Sequence, residues 1–188
     1  MPSICLTFSE KSKKLLDSIY MDINKASNKT ILKLDKYLEP HISLLLTNYI
    51  ESEKKVIIKS IEKLSKMNKI NTINLEGIGI FPKGDNKYNL HFKVAYNETM
   101  QKIHKEIWRE LGKKINIKQK DHYHPSSFIS HVSIPIIKKK NNKTVVMKIA
   151  NQLLNYDVRE IKLDIKYLSY INGNLEKPSV YYKNKLNK

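Results

Sequence analysis

The stretch EPHISLLL, residues 39–46, sets a histidine, one apolar residue and a serine inside an apolar run, and ISHVSIP, residues 129–135, does so again. On a β-strand residues i and i+2 share a face, so each stretch presents an imidazole beside a hydroxyl, roughly 7 Å apart along the backbone. His41 pairs in this way with Ser43, and His131 with Ser133, while Ile42 and Val132 turn to the opposite face, toward a core.

Around these two stretches, period-two patterning predicts strands at 3–8, 41–46, 71–81, 87–94, 129–135, 158–170 and 179–185. Helical spacing predicts helices at 9–26, 51–67, 97–115 and 142–155, with Ser9, Asn97 and Asn142 as N-caps. PKGDN (82–86) and NGNLEKP (172–178) read as hairpin turns. In order, the elements run strand, helix, H-x-S strand, helix, long strand and turn, and then the series begins again. His131 follows His41 by 90 positions, and the helices starting near 9 and 97 are separated by 88. This is an internal repeat, about 1–86 and 87–188, resting on element order rather than residue identity. A duplicated α+β unit brings its two equivalent strands to one cleft, where the two histidines meet.

One chemistry such a cleft can support is phosphodiester cleavage, while a buried polar pair that only satisfies hydrogen bonds is the plainer reading of either triplet. Histidine moves protons near neutral pH, and two imidazoles flanking a phosphodiester divide the work: one takes the proton of the attacking hydroxyl, the other protonates the leaving oxygen. The serine hydroxyls donate to the non-bridging oxygens, where charge builds up. Six histidines and 21 serine or threonine residues in 188 positions make about 0.7 such triplets expected by chance, so position in the repeat carries the weight.

With HISL and HVSI as signature, the chain resembles the two-histidine (2H) phosphoesterase superfamily, which includes the 2′-5′ RNA ligase-like proteins and cyclic phosphodiesterases. The resemblance runs from SICLTF (3–8) to SVYYKNK (179–185). It implies one bilobal domain over 1–188, with two antiparallel sheets, helices on the outside and a central groove. It also implies cleavage or formation of 2′,5′-linked or 2′,3′-cyclic phosphodiesters, with His41 and His131 as the acid/base pair and Ser43 and Ser133 binding phosphate. HYHPSSFISHVS (122–133) looks like the family's aromatic-rich approach to the second motif, and Tyr123 is a candidate for stacking on a base. Family members often carry proline directly before the second histidine, where this chain has Ser130.

Composition sets the surroundings. The net charge of +17 favours phosphate-rich partners, here RNA, an oligonucleotide or a cyclic nucleotide. Only Arg109 and Arg159 are arginine, and lysine runs such as 138–140 also read as solvated loops. A lone cysteine, Cys5, excludes a disulfide framework and a thiolate-rich zinc site. The absence of a long apolar run and of a signal-peptide order at the N-terminus predicts a cytoplasmic, soluble protein without membrane contact. Asp121, His122, His124 and His131 have spacing that permits a metal, but no HExxH or cysteine-bearing pattern supports one, so neither metal nor cofactor is expected. GIGIFPKGD (77–85) fits neither a dinucleotide fingerprint nor a P-loop, since Asp85 follows Gly84. His91, His104 and Trp108 read as structural residues. The rival from another class is a non-catalytic RNA-binding module with a basic groove.

Overall fold

The computed structural model describes residues 2–26, 30–31, 39–48, 50–84, 86–117, 124–137, 140–172 and 179–187. Seven strands, β1 (Pro2–Phe8), β2 (His41–Leu46), β3 (Thr72–Pro82), β4 (Tyr88–Val94), β5 (His131–Ser133), β6 (Lys162–Asn172) and β7 (Ser179–Lys185), alternate with four α-helices among these residues. The helices are α1 (Glu10–Ala26), α2 (Glu51–Met67), α3 (Glu98–Leu111) and α4 (Lys143–Leu153). Their starts have local causes. Ser9, Asn97 and Asn142 each accept, through the side-chain oxygen, the backbone N–H three residues on, satisfying donors that a helix start leaves unpaired.

The fold is α+β, built on one antiparallel sheet ordered β1-β2-β5-β4-β3-β6-β7, in which β6 also pairs with β1. Thr72–Asn74 of β3 pair with Lys162–Asp164 of β6, so the pairings run in a closed circuit of six strands with β7 outside it. The two expected sheets are therefore continuous, joined where β2 meets β5 at Ile42↔Val132.

Register sorts the side chains into two faces. Leu168, Leu6, Ile42, Val132 and Phe92 stand opposite one another on successive strands, all fully buried, and join the apolar faces of the four helices in one core. One residue to either side, the opposite face is polar. One row runs Tyr167, Thr7, His41, Ser133, His91, Gly79, and the other Ser169, Cys5, Ser43, His131, Lys93, Gly77. This polar face is the one the two H-x-S strands present, where the groove is expected.

Three elements depart most from the extents their patterns predict. The expected strand at 129–135 holds strand geometry only over His131–Ser133, because Pro135 lacks the N–H that pairing needs. The run 158–161 begins as a 3₁₀ turn, since Asp157 caps the N–H of Arg159 and bends the chain before β6. Helix α3 stops at Leu111, followed by Gly112, rather than reaching 115. The β3–β4 turn uses left-handed backbone at Gly84 and Asn86, residue types that tolerate it. The second expected hairpin turn falls mostly on 173–178, outside the described residues. Among the described residues no helix is long and apolar enough to cross a membrane.

Candidate active site

The single pairing Ile42↔Val132 places all four motif residues. In antiparallel register it sets His41 opposite Ser133 and Ser43 opposite His131, so the four side chains occupy the corners of one quadrilateral on the groove face. Each histidine is then the diagonal neighbour of the other, at about 7–8 Å, a span that suits one phosphodiester between two imidazoles. A two-fold through that pairing exchanges His41 with His131 and Ser43 with Ser133.

Both rings are held by the same device. His41 Nδ1 lies 2.7 Å from the carbonyl oxygen of Glu39, and His131 Nδ1 2.9 Å from that of Ile129, each two residues back along the chain, just before its strand. A carbonyl only accepts, so Nδ1 carries the proton and donates, and in the neutral ring Nε2 is the basic nitrogen. Burial holds the His41 imidazole below its ordinary value, opposed by the hydrogen bond to the Glu39 carbonyl and by the Glu39 charge. That carboxylate is itself buried, with Oε1 3.2 Å from Lys13 Nζ on α1 and 2.8 Å from Lys183 Nζ on β7. Lys183 in turn sits over the Tyr167 ring at 5.2 Å.

Around His131 the surroundings are aromatic. His91, which the sequence pattern assigns to structure, is buried on β4 with its ring 5.0 Å from that of His131 and stacked on Phe81 at 4.2 Å. Phe81 also meets His131 edge-on at 5.3 Å. His91 Nδ1 repeats the device of the motif histidines, bonding to Asn89 O at 3.2 Å. Gly79 makes this packing possible: a Cβ there would collide with His91 Nε2 and stand 2.9 Å from its Cε1. Asn89 Nδ2 donates to Ser133 Oγ at 3.2 Å, which leaves the hydroxyl proton of Ser133 to point elsewhere. Lys93, exposed on β4 and opposite His131, adds a positive charge on the same face. His91, Asn89 and Lys93 were missed because their signal is a register between β4 and β5, with no motif in the local sequence.

The arrangement sits in a fold with a solved likeness. The chain is similar to the crystal structure of TT0787 of Thermus thermophilus, with a TM-score of 0.59 at 14% identity over 99% of this chain and 98% of that one. At that identity the likeness speaks to the fold. No family model matches the chain.

The remaining sequence candidates fall away from the quadrilateral or beyond view. Tyr123, Asp121 and His122 lie outside the described residues. His124, Pro125 and Ser126 form a third H-x-S triplet, but on a turn, where His124 Nδ1 and Ser126 Oγ bond to each other at 2.8 Å. His104 is fully buried on α3, stacked on Phe128 at 3.8 Å. Trp108 is only partly buried against the core rather than enclosed by it. Among the described residues no three His, Cys, Asp or Glu side chains are grouped to hold a metal ion.

Proposed function

We propose that this protein is a phosphodiesterase of the two-histidine type, acting without a metal on 2′,5′-linked or 2′,3′-cyclic phosphodiesters in RNA ends or small nucleotides. The observation that carries the proposal is the Ile42↔Val132 register, which gathers two Nε2-basic imidazoles and two hydroxyls on one face of the sheet. In the proposed reaction one Nε2 takes the proton of the attacking water as its oxygen bonds to phosphorus. The other imidazole, protonated, passes its proton to the ribose oxygen as that P–O bond breaks. Ser43 and Ser133 donate hydrogen bonds to the non-bridging oxygens, and Lys93 adds charge stabilisation. The reverse sequence of the same proton transfers is ligation, with bulk water favouring hydrolysis. The net charge of +17 would draw a polyanionic substrate to the groove.

Product analysis tests this. A panel of 2′,3′-cyclic nucleotides and 2′,5′- and 3′,5′-linked oligonucleotides is incubated, with EDTA, with wild type, His41→Ala and His131→Ala. Cleavage by wild type that both variants lose is the expected result. Cleavage that EDTA abolishes would instead indicate a metal nuclease. No cleavage, with salt-sensitive RNA binding by all three proteins, would leave a binding module.

A further inference from the structure

The two serines of the motifs are held differently. Ser133 is the last residue of β5 and is exposed there. A serine hydroxyl so placed rotates between donor and acceptor roles unless a neighbour fixes it. Alternate residues of β4, Asn89, His91 and Lys93, share the face of the second motif. Register sets His91 opposite Ser133 and Lys93 opposite His131. Asn89, two places before His91, is then the diagonal neighbour of Ser133, at about 7–8 Å between backbones, a gap that a carboxamide reaches across. Its Nδ2 donates to Ser133 Oγ at 3.2 Å.

Ser43 has no such neighbour. Register places it opposite Cys5, whose thiol donates instead to the carbonyl of Ser169 at 3.7 Å. No hydrogen bond to Ser43 Oγ is found among the described residues.

Resting on the phosphodiesterase reading, we infer that Asn89 is a positioning residue that fixes Ser133 as a hydrogen-bond donor to the phosphate of the substrate. An amide N–H only donates, so the serine oxygen accepts from residue 89 and its own proton points elsewhere. A phosphate held between His41 and His131 supplies the acceptor. A donor oriented before charge develops needs no reorganisation when it does. The hydroxyl of Ser43, by contrast, settles only when the phosphate arrives. Substitution at 89 isolates this effect, because His91 Nδ1 bonds to the backbone carbonyl of Asn89, which every side chain there leaves in place.

A double-variant cycle tests this, with kinetics on adenosine 2′,3′-cyclic phosphate. Asn89→Leu keeps the shape of the side chain and removes the donor, and is expected to lower kcat about tenfold with KM within about twofold. Ser133→Ala is expected to lower kcat about 10²-fold, and adding Asn89→Leu to it to have no further effect. In a Ser43→Ala background the tenfold loss persists. Equal losses from Asn89→Leu with and without Ser133, or no loss in wild type, overturn the inference while the phosphodiesterase reading stands. Asn89→Asp, whose carboxylate only accepts, reverses the bond. Its loss is expected to be about tenfold larger with Ser133 present than in Ser133→Ala, where the added charge acts alone. Equal losses there overturn the inference as well.

Binding of inorganic phosphate, measured by calorimetry, repeats the cycle without turnover. Asn89→Leu and Ser133→Ala are each expected to weaken it about threefold, and the double variant no more than either. That coupling without cleavage of any phosphodiester keeps the positioning role and removes the enzyme. Phosphate binding that is absent, or indifferent to both substitutions, together with no cleavage, overturns both.

Discussion

The two halves of the site share a backbone device and differ in what surrounds it. In Glu39-Pro40-His41 the ring is tied to a carbonyl whose own residue carries a buried carboxylate, clamped by Lys13 and Lys183. In Ile129-Ser130-His131 the same carbonyl belongs to a residue with an exposed apolar side chain, and the ring is wedged by His91 and Phe81. The neighbouring positions differ in compensating sizes. Cys5 and Ser169, both small, face each other in the first half; in the second their register equivalents are His91 and Gly79, one large and one without a side chain. Orientation of the imidazole, which proton transfer needs, is the common element. A clamped charge lies beside one histidine and aromatic packing surrounds the other.

Loss of either imidazole is expected to override that difference. If each histidine performs one proton transfer, His41→Ala and His131→Ala each lower kcat by about 10²- to 10⁴-fold, and the double variant falls little further. A loss confined to one of them, in the same product assay, would end the equivalence of the halves.

Substitutions beneath the rings tell the halves apart. Glu39→Gln leaves Lys13 and Lys183 against an uncharged partner in a largely buried setting, and is expected to lower stability by about 3 kcal/mol in urea unfolding. The same substitution is expected to lower the His41 pKa further, read by NMR titration, because the Glu39 charge opposes the desolvation. Gly79→Ala overpacks the other half, where His91 is pinned by Phe81 and His131, and is expected to cost about 2 kcal/mol. Its activity defect belongs to kcat, since the displaced ring presses on His131.

Smaller still is the pH linkage. Burial lowers the folded-state pKa of His41 below its ordinary 6.5, so between those two values the unfolded chain binds more protons and stability rises with pH. His41 therefore contributes fully above its ordinary value and loses that contribution as pH falls through the folded one. Urea midpoints across this range are expected to drop toward acid in wild type, with a shallower drop in His41→Asn.

Much of the fold is legible in the sequence because its causes are local. The spans 41–46, 51–67 and 179–185 match β2, α2 and β7 end to end, since period and flanking polar residues act within a few positions. The expectation of a strand over 129–135 runs too long because the apolar run continues past Pro135, and a pattern of hydrophobicity does not register a missing N–H. His91 reads as structural on the same evidence that makes His41 a candidate, a histidine in an apolar strand; only the triplet and the repeat separate them. The triplet alone would have admitted His124, which the turn at 124–127 takes out of any strand.

Order along the chain was enough to set the two H-x-S strands, their like-facing side chains and the helices that back them, because side-chain alternation and helical period depend on near neighbours. Long-range packing supplied what remained. That Ile42 meets Val132 rather than a residue one place away is set by packing both into a shared core, and a slip of one position would turn His41 and His131 to opposite faces. The same register brings His91, Asn89 and Lys93 to the second motif, and the Glu39 clamp to the first. Contacts among residues far apart in sequence leave no local trace, which is why the motifs could be read in advance and their surroundings could not.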